Sequence, residues 1–138
     1  MHTQIFVNLP VKDLKRSVDF FTKLGYTFNP QFTDENATCM ILGENLYVML
    51  LVEKFFSSFT SKGITDTAQS TEVLTCVSCD SRARVDDLVA KARAGGGKVS
   101  RQAQDHGFMY AHGYEDLDGH TWELIHMTGS PPHGPPNG

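Results

Sequence analysis

A strand-then-helix pattern occurs twice in this chain, 67 residues apart. The first copy reads I-F-V-N-L-P-V-K-D-L-K-R-S-V-D-F-F over residues 5–21, and the second reads L-T-C-V-S-C-D-S-R-A-R-V-D-D-L over 74–88. Aligned this way, Asp13 falls on Asp80, Lys15 on Arg82, Val18 on Val85, Asp19 on Asp86 and Phe21 on Leu88. Each copy ends a short apolar run in an aspartate, whose carboxylate can accept from the free N–H groups opening a helix. Asp13 and Asp80 are therefore the expected N-caps. An internal repeat constrains topology more than any single residue does. Two such units, each followed by strand-like segments, predict a duplicated domain with a pseudo-twofold and a shared groove.

Periodicity fills in the rest. Residues 5–9 read as a strand, and Leu14, Val18, Phe21 and Leu24 mark one face of a helix stopped by Gly25. Runs at 26–33, 37–42 and 46–52 alternate as strands and are separated by D-E-N and G-E-N turns. The second unit repeats the order. A strand at 73–79 precedes a helix on Val85, Leu88, Val89 and Ala92, a Gly95-Gly96-Gly97 stop, and strands at 98–104, 108–114 and 121–126. The expected fold is α+β: two βαβββ modules in tandem, with curled mixed sheets around a cavity. Residues 1–128 form the domain, with module one at 3–53, a linker at 54–71 and module two at 72–127. In the linker, Phe55, Phe56 and Phe59 sit on a helical turn and either plug the core edge or form a lid or dimer contact. The Pro/Gly-rich tail at 129–138, with His133, is expected to be disordered.

Composition narrows the function classes. A net charge of −4 with no basic run argues against nucleic acid as a partner. No apolar run approaches the roughly 20 residues of a membrane span. The amino-terminal residues lack the basic and apolar regions of a signal peptide, so the cytoplasm is the expected compartment. Three cysteines then read as reduced thiols. Cys76 and Cys79 lie in a strand pattern, where a C-x-x-C spacing points the thiols to opposite faces. They are expected as small apolar core residues rather than as a redox pair or a zinc ligand set.

Three segments carry a family resemblance: L-P-V-K-D-L-K-R-S-V-D-F-F-T-K-L-G at 9–25, A-G-G-G-K-V at 94–99 and E-D-L-D-G-H-T-W-E-L-I at 115–125. In these the chain resembles the vicinal oxygen chelate superfamily, which includes glyoxalase I, extradiol dioxygenases, fosfomycin-resistance enzymes and bleomycin-resistance proteins. The resemblance implies paired βαβββ modules, usually in a homodimer. Metal-dependent members place four ligand positions on cavity-facing strands, and the resemblance puts these at Phe6, Met49, Leu74 (Val73 in the ungapped repeat) and Glu123. Glu123 alone offers a donor to a divalent ion. A shifted register would add Asn8 or Glu72, giving a weak oxygen-rich set.

No cofactor is therefore expected, and a divalent metal is disfavoured. Glu123 lies between Trp122 and Leu124, so it points to the face opposite theirs. A carboxylate placed among apolar side chains must find a partner or be shifted by desolvation. The expected partner is a cationic ligand or a donor such as Tyr110 or Asn8; the alternative is a structural carboxylate. His112 is a candidate to act with Glu123 as an acid/base pair. His106, His120 and His126 read as surface or turn residues. The expected function is binding of a small organic ligand, without metal, in a cavity lined by Phe6, Asn8, Met49, Leu51, Leu74, Tyr110 and Glu123. The alternative is a metal-dependent glyoxalase-like lyase or isomerase, or an extradiol-type dioxygenase, built on Glu123.

Overall fold

The computed structural model describes residues 1–129; of the expected tail, residues 130–138, with His133, lie outside the described residues. The chain divides into two compact units, Met1–Ser70 and a second from Thr71 onward. The first runs β1 (Ile5–Val11), α1 (Leu14–Leu24), β2 (Thr27–Asn29), β3 (Ala37–Gly43), β4 (Leu46–Val52) and α2 (Glu53–Ser57). The second runs β5 (Leu74–Ser78), α3 (Arg82–Ala94), β6 (Gln104–Asp105), β7 (Met109–Glu115) and β8 (Thr121–Met127). Each unit holds a four-stranded mixed sheet, ordered β1-β4-β3-β2 and β5-β8-β7-β6. The first pair in each sheet is parallel and the rest are antiparallel. This is the duplicated βαβββ architecture that the repeat predicts. No described helix is long and apolar enough to cross a membrane.

The helices begin and end by the same chemistry. Asp13 Oδ1 accepts from Arg16 N–H at 3.0 Å and opens α1. Gly25, at φ 104°, closes it, with Gly25 N–H on Thr22 O (3.0 Å) and Tyr26 N–H on Phe21 O (3.1 Å). That is a Schellman pair, completed by the Phe21–Tyr26 ring contact. In α3, Gly96 at φ 101° does the same, with Gly96 N–H on Arg93 O (3.2 Å) and Gly97 N–H on Ala92 O (2.8 Å).

The cap of α3 differs from expectation. Ser81, not Asp80, accepts from Arg84 N–H, at 3.0 Å. The repeat is therefore offset by 68 residues in space: Asp13 matches Ser81, and buried Ser17, Phe20, Phe21 and Leu24 match Val85, Leu88, Val89 and Ala92. The identities at 67 are coincidental, and Val18 lies beside the buried stripe rather than on it.

Three strands also differ. β1 runs on through Pro10 to Val11, which an edge strand tolerates because one side needs no ladder N–H. β2 stops at Asn29, whose Oδ1 takes Gln31 N–H at 2.9 Å and starts a single 3-10 turn at Pro30. The run at 98–104 forms only a bridge from Lys98 to Glu115 before the two-residue β6. Its S-R-Q-A-Q core has no apolar alternation to bury.

In the first unit Leu9, Val11, Met40, Val48 and Leu50 are buried with the α1 stripe. In the second, Trp122 and Leu124 are fully buried with the α3 stripe. Contrary to expectation, Cys76 is exposed and Cys79 half-buried; only Cys39 is a core thiol. Position decides this, because Cys76 sits on the sheet face away from Trp122.

Candidate functional site

Register builds the site in the second unit. β8 lies between β5 and β7, and Glu123 pairs with Cys76 on one side and Gly113 on the other. Side chains alternate across a sheet, so Glu123 shares its face with Thr121, Leu74, Cys76, Ala111 and Glu115, while Trp122 and Leu124 face α3. Over this face lies a cavity of about 270 Å³. Its floor carries Leu74, Ala111, Gly113, Glu115, Thr121 and Glu123, and its wall is the irregular strap bearing Ser100, Arg101, Gln102 and Gln104. Glu123 is half-buried, and its carboxylate has no hydrogen-bond or ion-pair partner among the described residues.

The strap is held at several points. Lys98 and Glu115 exchange backbone hydrogen bonds of 3.0 and 2.8 Å. His112 Nε2 lies 3.0 Å from Arg101 O, so it carries the proton and donates. Arg82 bridges Asp105 at 2.8 Å and lies 4.9 Å over the Tyr110 ring. The N–H of Gly107 and the Arg82 guanidinium hold the Asp105 carboxyl below its usual range.

These contacts correct two site expectations. His112 pairs with Leu124, so its side chain leaves the sheet on the face opposite Glu123 and its ring is taken by Arg101 O; the two residues line one cavity but share no hydrogen bond. Tyr110 pairs with His126 on that same far face and donates its hydroxyl to Asp86 of α3 at 2.5 Å, so it is no partner for Glu123. That bond pushes the Tyr110 hydroxyl up.

In the first unit Phe6 stacks on Tyr47 (4.9 Å between ring centres) and Asn8 pairs with Met49, all on one face. Leu51, expected to line a cavity, is 2 % exposed where α2 folds back against β1 and β4; it belongs to the core. Phe55 and Phe56 on α2 are half-buried, while Phe59 is exposed and edge-packed on Phe55. Glu72 is exposed ahead of β5. Of the remaining histidines, His120 is buried rather than exposed, and His126 Nδ1 lies 2.9 Å from Cys79 O.

The 68-residue offset makes Phe6 equivalent to Leu74 and Asn8 to Cys76, and the parallel registers make Met49 equivalent to Glu123. The four positions that the resemblance implies are thus two matched pairs, with Leu74 rather than Val73 in the set. Phe6, Met49 and Leu74 offer no donor to a hard or borderline cation, so the set does not fit a divalent ion. Among the described residues, no three His, Cys, Asp or Glu side chains come together to hold one.

Residues 3–43 match the bleomycin resistance protein-like N-terminal family. A hypothetical protein, SA1046, from S. aureus superposes with a TM-score of 0.77 at 26% identity, covering 91% of this chain and 94% of that one. A glyoxalase/bleomycin resistance protein/dioxygenase family enzyme from Burkholderia phytofirmans PsJN superposes at 0.72, with 14% identity and coverages of 88% and 96%. The matched segment and these superpositions bear out the resemblance to the vicinal oxygen chelate superfamily. A fosfomycin resistance protein, FosX, from Listeria monocytogenes shares this superfamily fold with a TM-score of 0.65 at 16% identity, covering 93% and 95%. No curated protein matches the sequence.

The lateral pair of Cys76 and Glu123 gives a direct check on this site. Cys76 is exposed as a residue, but the neighbouring strands partly desolvate its thiol and push it up, and the Glu123 carboxylate and Cys79 push it further. Less thiolate at a given pH means slower alkylation. Glu123→Gln removes one of these causes, so Cys76 is expected to react faster with iodoacetamide at pH 8. An unchanged rate, followed by mass spectrometry of the labelled peptide, would mean that the two side chains are not neighbours.

Proposed function

We propose that the chain binds a small organic ligand on the Glu123 face of its second module, and does so without a divalent metal. The observation that carries this reading is a half-buried carboxylate, without a partner among the described residues, on the floor of a cavity of about 270 Å³. A carboxylate withdrawn from water is costly unless something pairs with it. Leu74 and Ala111 supply apolar surface on the floor, and Thr121, Ser100 and the glutamines supply a few placed polar groups. Small-molecule sites have this mixture. The donor-poor set Phe6, Met49 and Leu74 supports binding without a metal, and with it sequestration or transport rather than bond-making.

The test joins two measurements on protein made without chelator or affinity tag. Elemental mass spectrometry is expected to find far less than one Mn, Fe, Ni or Zn per chain. A small-molecule screen by thermal shift is expected to yield ligands whose stabilisation disappears in Glu123→Gln. A ligand at 100 times its Kd stabilises by about 2.7 kcal/mol, well within reach of the method. Near-stoichiometric metal that is lost in Glu123→Gln would sink the proposal and direct assays to lyase and dioxygenase chemistry.

A further inference from the structure

The cavity of the second module holds charges of both signs. Glu115 and Glu123 lie on its floor and Arg101 on its wall. None of the three makes a side-chain ion pair with a described residue. Opposite charges on flexible side chains in one small cavity ordinarily close on each other, because attraction strengthens as water is excluded. Here no such pair forms, and the backbone under each of the three is held in place. Glu115 and Glu123 are fixed by the β7–β8 ladder. The backbone at Arg101 is held from both ends of the strap, by the Lys98–Glu115 bridge and the Arg82–Asp105 pair, and at its own carbonyl by His112, while its side chain is exposed. The lining therefore combines two carboxylate residues on the floor with an arginine on the strap, and Leu74 and Ala111 lie among them.

We infer that this cavity takes a small zwitterion, its ammonium on the Glu115 and Glu123 carboxylates and its carboxylate on Arg101. The inference rests on the reading of the cavity as a ligand site and adds the ligand's class. A simple cation would satisfy the floor and leave Arg101 facing its uncharged end. A simple anion would satisfy Arg101 and set its own body against two carboxylates. Only a dipolar molecule answers both poles, and a guanidinium suits a carboxylate because its fork can donate twice.

The test uses four probes with one apolar body: phenylalanine, phenethylamine, 3-phenylpropionate and 2-phenylethanol. Each is titrated into the full, 15N-labelled chain, and the amide shifts of Leu74, Gly113 and Thr121 are followed. Phenylalanine is expected to bind about tenfold tighter than either singly charged probe, the scale of one added charge-assisted hydrogen bond. Arg101→Gln should reduce phenylalanine to the level of phenethylamine, and Glu123→Gln to that of 3-phenylpropionate. Both variants change exposed or half-buried side chains, and an unchanged spectrum elsewhere confirms folding. If phenethylamine binds as tightly as phenylalanine, and Arg101→Gln changes neither, the zwitterion inference is overturned while the cavity stands as a ligand site. Shifts at these amides that are equal for all four probes overturn the role of the charges. No shift with any probe also overturns the inference, and the broader thermal-shift screen then decides the cavity reading separately.

Discussion

Asp116→Ala is expected to lower the stability of the second module by about 3 kcal/mol or more, and Asp116→Asn by clearly less. Asp116 is 6 % exposed and accepts three hydrogen bonds. Its Oδ1 takes the N–H groups of Asp118 (2.9 Å) and His120 (3.0 Å), and its Oδ2 takes the indole N–H of Trp122 (3.0 Å). The backbone closes the same turn, with Asp116 N–H on His120 O and Gly119 N–H on Asp116 O, both at 3.0 Å. Gly119 holds φ 80°, a conformation that favours glycine. This network is what the D-x-D-G-x-x-W spacing encodes: one carboxylate organises the β7–β8 turn and satisfies the fully buried tryptophan. Alanine takes this acceptor from all three donors, and a buried donor that loses its acceptor costs about 1–3 kcal/mol. Asparagine keeps the Oδ1 bonds and opposes its NH2 to the indole N–H. It also removes a charge that burial disfavours; desolvation pushes the Asp116 carboxyl up, against the pull of His120 and these donors.

Trp122 is the only tryptophan in the chain, so its fluorescence reports this module directly. Thermal unfolding followed at that residue should show a midpoint drop of roughly 10 °C for the alanine variant. Equal midpoints for the alanine and asparagine variants would mean that the Oδ1 bonds contribute nothing.

The same turn explains which parts of the site can be read from sequence. The fold is legible because its signals are local and repeated: apolar runs, a capping oxygen, a glycine stop, twice over. Glu123 is legible by strand parity against Trp122 and Leu124. His112 is misassigned for want of one more step. With Asp116–His120 as the turn, Glu115 must face Thr121, hence Gly113 faces Glu123 and His112 faces Leu124. That count also places Tyr110 on the α3 side. The one-residue slip between Asp80 and Ser81 is harder to see, because both side chains can cap a helix. Only the buried stripe, Ser17 on Val85 and Leu24 on Ala92, decides between offsets, and a serine in that stripe hides it. Arg101 is illegible for a different reason. It reaches the cavity on a strap with no periodicity, positioned by long-range contacts to His112 and Arg82 that no local pattern announces.

Gly113→Ala is expected to cost about 2 kcal/mol, and Gly113→Val more. A Cβ at Gly113 would lie 2.5 Å from the carbonyl oxygen of Trp122 and 3.5 Å from Glu123 Cα. The first distance is far inside contact, and the obstructing atom belongs to the backbone of β8. A flexible side chain could swing aside; a ladder strand moves only by breaking pairs with β5 and β7. Gly113 has an ordinary φ, so the cost is crowding rather than a strained dihedral angle. Gly63→Ala is the matched control: nothing lies within 4 Å of its Cβ, and the change should stay within about 0.5 kcal/mol. The two effects separate cleanly by urea unfolding followed by far-ultraviolet circular dichroism, which reports both units, with equal denaturant slopes and different midpoints. A Gly113→Ala midpoint matching that of Gly63→Ala would show that β7 and β8 can part at no cost. The position also bears on binding. Gly113 sits directly across from Glu123 and lines the same cavity, so its missing side chain leaves the carboxylate open on that side. Any gain in volume there both pushes β8 away and fills the space over the floor, so ligand affinity should fall together with stability.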